Sequence, residues 1–286
     1  MGKNPNRAAA AARAAEMRAV AARKEKQRKQ MITAVVAVVV VIIAVVVGMV
    51  IANRPRESAP TATGAAGTAL AKLTKLPAAT LDSAPAPAAG RVPQRLSGGT
   101  ALTKDGKPEV LYVGAEYCPY CAMERWALVG AMSRFGTFQG LKPTTSASNE
   151  SIPDIPTWSF FGSTYTSDYL SFQAVETQDR EFKPLQPLEG DTKTLFEKFN
   201  PQGGIPWISF GGTHATSGAT VDAEVFRDAT YDTLIAGVLD PKSQIGQSID
   251  PAINVITAQL CTLTKGQPAD VCTSKAVSSA APLLAK

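Results

Sequence analysis

The feature that most restricts the fold of this chain is a stretch of 22 residues, 31–52, that contains no charged residue and no proline. A helix of this length rises about 33 Å, enough to cross a bilayer core of about 30 Å. Its many valines disfavour a helix in water, but in lipid only a helix satisfies its own backbone groups. The stretch is therefore predicted to be a transmembrane helix. The alternative is a cleaved signal peptide, which fits less well because the basic and apolar regions are long and no small-x-small cleavage site follows.

Positive charge is concentrated in the residues before this stretch. Residues 1–30 hold nine Lys and Arg against two Glu, while the remaining chain has 20 basic and 22 acidic residues, so the net charge of +5 describes a basic tail on a nearly neutral body. It gives no reason to expect nucleic-acid binding. Because Lys and Arg favour the cytoplasmic side, we expect the tail inside and everything after Asn53 outside the cytoplasm. The tail is a solvated run that sets topology or, alternatively, a helix on the inner leaflet.

Composition divides the rest of the chain into three parts. Residues 53–90 are rich in Ala, Pro, Thr and Ser and lack aromatic residues, which predicts a linker that buries little surface. The folded domain is expected to span residues 91–274. The Ala- and Ser-rich residues 275–286 are expected to form a flexible tail.

Hydrophobic patterns within the domain predict an α/β fold with a mixed sheet flanked by helices. Strands are predicted at 109–114, 141–146, 169–175, 207–210 and 213–216. Helices are predicted at 119–135 and 191–199, and two more are capped by Asp222 and Asp250. Residues 153–167 are predicted to form a loop.

Four cysteines form two local pairs, Cys118 with Cys121 and Cys261 with Cys272. An even number of cysteines outside the cytoplasm favours disulfides. The first pair lies at a strand-to-helix junction, where the helix N-terminus stabilises a thiolate on Cys118. Cys121 follows one turn later on the same side. We therefore predict that Cys118 is the nucleophile and Cys121 the resolving thiol.

Other interpretations of the cysteines stay open. Zinc needs a second closely spaced pair, whereas the second spacing is eleven and His214 is the one histidine of the chain. A structural disulfide between Cys118 and Cys121 is the more serious alternative. The second pair is predicted to be a structural disulfide worth about 3 kcal/mol, and the alternative is a redox pair that relays electrons to Cys118.

Two motifs carry a resemblance to a known family. The run 110–121 (VLYVGAEYCPYC) resembles the first strand and active site of thioredoxins, and its Pro119-Tyr120 dipeptide is similar to that of glutaredoxins. Downstream, residues 203–206 (GGIP) resemble the cis-proline loop of thioredoxins. The resemblance implies a thioredoxin-like fold in which Pro206 follows a cis bond beside the motif and the Ile205 backbone pairs with substrate.

A closer resemblance is to an uncharacterised prokaryotic family of membrane proteins with a thioredoxin-like domain. Three stretches look typical of it, namely 114–126 (GAEYCPYCAMERW), 134–138 (RFGTF) and 160–172 (FFGSTYTSDYLSF), and the resemblance covers roughly residues 91–272. It implies a fold and a redox class but no substrate. Where thioredoxins have a buried Asp, six residues before the first cysteine, this chain has Tyr112, with Glu116 nearby. The aromatic-rich insertion at 148–180 is either the core of an insertion or a substrate cover.

Together these features predict a membrane-anchored, extracytoplasmic thiol–disulfide oxidoreductase that acts on protein thiols. Oxidase or isomerase activity is expected over reductase activity, with a redox partner in or near the membrane. The sulfurs suffice for this chemistry, so no cofactor or metal is expected. The main alternative is a non-catalytic binding module with structural disulfides. Copper handling is a weaker one, because it uses wider cysteine spacing and a suitably placed histidine.

Overall fold

A mixed β-sheet with helices on both faces forms the body of the structure, as the hydrophobic patterns predict. The computed structural model describes residues 63–87 and 91–284. The strands are β1 (Gln94–Arg95), β2 (Thr103–Lys104), β3 (Lys107–Gly114), β4 (Thr137–Gln139), β5 (Lys142–Thr145), β6 (Pro156–Ser159), β7 (Thr164–Thr166), β8 (Ser171–Glu176), β9 (Trp207–Phe210) and β10 (His214–Ser217). The helices are α1 (Gly64–Leu73), α2 (Ala78–Asp82), α3 (Pro119–Met132), α4 (Gly190–Phe199), α5 (Tyr231–Val238), α6 (Gln244–Leu263), α7 (Ala269–Cys272) and α8 (Lys275–Ala280).

Strand β3 is the centre of the main sheet. It pairs in parallel with β8 on one side and antiparallel with β9 on the other, and β9 continues into the antiparallel partner β10. The short strands β1 and β2 add to β10 and to the start of β3. Strand β5, predicted as a second strand, does form, but it pairs with β6 in a separate two-stranded sheet. The predicted loop at 153–167 is wrong, because it contains β6 and β7.

Alternating side chains of β3 face opposite sides of the sheet, as the pleat requires. Val110 and Tyr112 belong to the larger apolar cluster, which also contains buried residues of α3 and α6. Leu111 and Val113 belong to a second cluster that contains Phe196 of α4. The central strand is therefore buried on both faces.

Part of the predicted linker is folded, so the linker prediction is wrong for residues 64–82. Helix α1 buries Ala66, Ala69 and Leu73, which recur at helical spacing and pack into the main apolar cluster. The carbonyl of Ala66 also accepts a hydrogen bond from the Trp158 indole at 3.3 Å. Small alanine side chains build this face, which is why the composition resembles that of a spacer.

The chain after Cys272 is folded as well. Residues 275–284, predicted as a flexible tail, form α8 and a 3₁₀ turn, and Ala276, Val277 and Ala280 are buried. The Asp82 carboxylate accepts a hydrogen bond from the Ala276 amide at 2.8 Å, which joins the two ends of the folded region. The described residues, 63–87 and 91–284, accordingly belong to one compact unit.

Two helix starts also differ from prediction. Asp222 caps a 3₁₀ turn at Ala223–Phe226, and the helix predicted to continue from it begins anew at Tyr231, because Thr230 supplies a capping box. Helix α6 begins at Gln244, capped by Ser243, and carries Pro251 inside it. It therefore starts six residues before the predicted cap at Asp250.

The predicted cytoplasmic tail (1–30) and transmembrane helix (31–52) lie outside the described residues. Among the residues that are described, no helix combines the length and apolar character needed to cross a membrane.

Candidate functional site

The chain brings its two predicted motifs together at one edge of the main sheet. Val113, near the end of β3, is paired with Trp207, the first residue of β9. Because these strands are antiparallel, the segment that follows β3 and the loop that precedes β9 emerge side by side. The Cys118 sulfur lies 3.9 Å from the Ile205 carbonyl oxygen, and the peptide bond between Ile205 and Pro206 is cis.

Cys118 is the N-cap of α3, with extended backbone at the residue itself and Pro119 in the first turn. Its sulfur accepts a hydrogen bond from the backbone N–H of Cys121 at 3.3 Å. Both residues are free thiols; Cys118 is 5% exposed and Cys121 is fully buried. Tyr120, between them, is 45% exposed. The motif therefore presents one sulfur near the surface with a second sulfur behind it.

The pKa values of the two thiols are shifted in opposite directions. A hydrogen bond from the Cys121 side chain lowers the pKa of Cys118, helped by the Cys121 and Tyr120 backbone amides and by the positive charge of Arg125, which together outweigh burial. Burial is the main reason that the pKa of Cys121 is raised well above its ordinary value. Cys118 is thus the sulfur that becomes a thiolate first, in the role that the sequence predicts for it.

A buried ion pair that the sequence analysis missed lies behind the motif. The Arg125 guanidinium donates to both carboxylate oxygens of Glu176, at 3.0 and 2.7 Å, and to the Ala115 carbonyl at 2.9 Å. Both charged side chains are fully buried. Arg125 is four residues after Cys121, so it lies on the same face of α3. Its partner, at the end of β8, is 51 residues away, and nothing local in the sequence points to it.

Tyr112, at the position of the acid in thioredoxins, is fully buried. Its hydroxyl has no hydrogen-bond partner among the described residues, and burial raises its pKa well above the ordinary value. The Arg125 guanidinium carbon lies 5.8 Å from the centre of the Tyr112 ring. Glu116 is half-buried, and burial raises its pKa. Tyr112 therefore lies close to a paired arginine and not to a free carboxylate of its own.

A second buried acid, Glu124, lies on α3, the helix that also carries Arg125. Its carboxylate accepts hydrogen bonds from the Thr220 backbone N–H at 2.7 Å and from the Thr220 hydroxyl at 2.9 Å. Burial raises its pKa to about 7. Sequence analysis missed this residue, because a Glu on a helix is normally exposed.

Aromatic residues of the insertion at 148–180 pack in the core. Trp158 and Phe160 are buried in the main cluster, and Tyr165 and Phe172 pack against Phe138. This matches the first of the two alternatives that the sequence leaves for its aromatic residues.

The second cysteine pair forms the disulfide predicted for it. Cys261, in the last turn of α6, is bonded to Cys272 of α7, with 5.5 Å between their Cα atoms. Within the described ranges, no group of three or more His, Cys, Asp or Glu side chains is arranged to hold a metal ion.

Comparison with known proteins gives one match. Residues 97–203 match a family described as a domain of unknown function (DUF929). The matched region contains both motif cysteines and ends just before Ile205 and Pro206. No curated protein and no solved structure matches the chain.

Proposed function

We propose that the chain is a membrane-anchored thiol–disulfide oxidoreductase with a thioredoxin-like fold, acting on protein thiols outside the cytoplasm. The observation that carries this proposal is the position of Cys118, whose sulfur caps the first turn of α3 and lies 3.9 Å from the Ile205 carbonyl oxygen. Free amides and the helix dipole stabilise a thiolate at such a position. A second thiol one turn later can then displace a bound substrate sulfur.

The thioredoxin-like part of the proposal is supported by the order of the elements. The motif follows the central strand β3, and the loop at 203–206 leads into the hairpin of β9 and β10. This is the order of motifs, strands and tight Gly211-Gly212 turn that the resemblance to thioredoxins implies. Helix α6, which follows α5 after the hairpin, contributes buried residues to the same apolar cluster as α3.

In the proposed reaction, the Cys118 thiolate attacks a substrate disulfide. The substrate S–S bond breaks, a mixed disulfide forms on Cys118, and one substrate sulfur leaves as a thiolate. Cys121 then loses its proton and attacks the Cys118 sulfur, which releases the second substrate sulfur and leaves a Cys118–Cys121 disulfide. Two electrons pass from the enzyme to the substrate, and the reverse sequence oxidises a substrate dithiol. No organic cofactor takes part.

The proposed location follows from the sequence of residues 1–52, with the basic tail inside and the folded unit outside. In an oxidising compartment, oxidation or isomerisation of substrate thiols is favoured over their reduction. Repeated turnover then requires a redox partner in or near the membrane.

The test uses the full chain in mild detergent. The Cys118–Cys121 pair is equilibrated with glutathione buffers, alkylated and quantified by mass spectrometry. We expect a reduction potential within the oxidoreductase range of roughly −270 to −120 mV. The Cys121→Ser variant, mixed with insulin as a protein disulfide, should accumulate a mixed disulfide on Cys118, and Cys118→Ser should accumulate none.

The opposite result favours the binding module. If the pair stays oxidised below about −300 mV and Cys121→Ser traps nothing, the motif is a structural disulfide and the oxidoreductase proposal fails.

A further inference from the structure

Phe182 lies in a backbone conformation that its side chain disfavours. Its φ is +63°, in the left-handed region that bulky residues rarely adopt and that glycine enters freely. A bulky residue held there has to be stabilised by its surroundings, and such residues concentrate at functional sites. The contacts of Phe182 therefore indicate which function this conformation serves.

The turn that carries Phe182 is firmly built. The Asp179 carboxylate accepts hydrogen bonds from the backbone N–H groups of Glu181 at 2.9 Å and Lys183 at 2.8 Å. The Gln178 side chain donates to the Phe182 carbonyl at 2.8 Å. The left-handed residue is thus fixed by its neighbours on both sides.

The Phe182 ring stacks on Tyr117, with 4.5 Å between ring centres and 28° between ring planes. Tyr117 directly precedes Cys118 and packs against the cluster formed by Ala115, Cys118 and Cys121. We name Tyr117 and Phe182 together the aromatic wall. It places an aromatic side chain from the turn after β8 against Tyr117, the residue that precedes the nucleophile of the proposed reaction.

Both halves of the aromatic wall are braced by the segment 147–154. The Ala147 amide donates to the Tyr117 carbonyl at 2.9 Å. Arg180, in the Phe182 turn, pairs with Asp154 at 2.6 Å and donates to the Ser148 hydroxyl at 2.9 Å. The wall is therefore a fixed surface next to Cys118.

Exposed apolar side chains occur both in the motif and in the aromatic wall. In the described part of the chain, the large apolar side chains with substantial exposure are Tyr120 (45%), Phe161 (38%) and Phe182 (38%). Tyr120 is in the motif and Phe182 belongs to the aromatic wall. Ile205, which packs on the cysteine cluster from the loop before β9, adds further apolar surface. Cys118 itself exposes only 5%, and its sulfur lies beside the Ile205 backbone carbonyl. A substrate segment that reaches the sulfur along this backbone, as an added strand would, is brought close to the apolar groups.

We infer that the aromatic wall selects the substrate, and that the substrate is an extended polypeptide segment with an apolar side chain next to its cysteine. This inference rests on the proposed function. Apolar side chains flanking the substrate cysteine leave water against Tyr117 and Phe182, and this contact favours the mixed disulfide. Small polar disulfides gain nothing from the wall and react with Cys118 through its sulfur alone.

The test uses the reduced full chain and two symmetric peptide disulfides, which are identical except that leucine or serine flanks the cysteine. Each reaction consumes one peptide disulfide, releases two peptide thiols and leaves the Cys118–Cys121 disulfide. We expect the leucine peptide to react about tenfold faster, the factor that corresponds to about 50 Å² of apolar surface leaving water. Phe182→Gly should remove this preference, so that the leucine peptide reacts no faster than the serine peptide.

Two matched variants separate the ring from the backbone. Phe182→Tyr keeps the aromatic wall and should keep the preference. Lys265→Gly relieves a similar left-handed residue, with a φ of +55° after α6, and should change neither rate. Circular dichroism and thermal melting check that each variant is folded.

The outcomes distinguish the inference from the proposed function. A leucine preference that survives in Phe182→Gly, or a Phe182→Gly variant that slows both peptides equally, overturns the substrate selection while the oxidoreductase stands. A wild-type chain that reacts with neither peptide, nor with oxidised glutathione, overturns the proposed function and the inference with it.

Discussion

The two cysteine pairs of this chain lie at opposite ends of helices. Cys118 precedes α3, where the amide groups of the first turn have no intrahelical partner and attract negative charge. Cys261 lies in the last turn of α6, where carbonyl groups without an intrahelical partner repel negative charge. A thiolate is therefore favoured at Cys118, whereas Cys261 is held in a disulfide with Cys272.

The charged surroundings of the two pairs also favour a thiolate at Cys118. Behind Cys118 and Cys121 lies the buried pair of Arg125 and Glu176, and the Arg125 charge lowers the pKa of Cys118. Cys261 is packed in the main apolar cluster. Position on a helix and nearby charge, rather than cysteine spacing alone, therefore distinguish the free thiols of the first pair from the disulfide of the second.

The largest effect on this comparison should come from Arg125→Met, which leaves Glu176 charged and unpaired in the core. Breaking a buried ion pair on one side costs about 3–5 kcal/mol of unfolding free energy. Loss of the positive charge should also raise the pKa of Cys118 and slow its alkylation at neutral pH. Urea denaturation measures the first effect, and the pH profile of iodoacetamide labelling measures the second.

The double variant Arg125→Met with Glu176→Gln is the control. Replacing both charges removes the unpaired ion, so much of the lost stability should return. If the single and double variants are equally unstable, the loss comes from packing around Arg125 and the ion pair contributes little. If Cys118 alkylation is unchanged in both, the ion pair has no influence on the motif.

Removal of the Cys261–Cys272 disulfide should have a smaller effect, on stability alone. The Cys261→Ala, Cys272→Ala double variant opens a short loop, which should lower the unfolding free energy by about 3 kcal/mol. The rate of exchange at Cys118 should stay at the wild-type value. A folded variant whose turnover with a protein disulfide falls tenfold would instead identify Cys261 and Cys272 as an electron relay.

Much of the site could be predicted because its signals are local in the sequence. The motif lies between a buried strand and a helix that begins with Pro119, and both elements were found from their apolar patterns. The loop at 203–206 is likewise recognisable from four adjacent residues. Strand β3 contains a continuous apolar run, β8 has an alternating pattern and β9 is short and mostly apolar, so the α/β fold with a mixed sheet follows from them.

The missed features depend on contacts between distant residues. Arg125 and Glu176 are each ordinary surface residue types, and only the parallel pairing of β3 with β8 brings Glu176 to the end of the sheet where Arg125 lies. The start of α6 was placed too late because Asp250-Pro251 is a strong local start signal, yet Ser243 caps the helix earlier and Pro251 is accommodated within it. Helix α1 was missed because its buried face consists largely of alanine.

The smallest predicted effect concerns the pKa of Cys118 and its dependence on Cys121. In the wild-type chain, the rate of Cys118 alkylation should rise with pH and reach half its maximum below 9.0, the ordinary value for a cysteine, because a lowered pKa supplies thiolate at lower pH. Cys121→Ala removes the side-chain hydrogen bond that contributes most to this lowering, so the midpoint should move upward. Mass spectrometry of the Cys118 peptide follows both profiles, and Cys272 in a Cys261→Ala chain is the reference thiol. A Cys118 midpoint equal to that of Cys272 would mean that the two pairs differ in bonding alone and that the helix end gives the motif no electrostatic advantage.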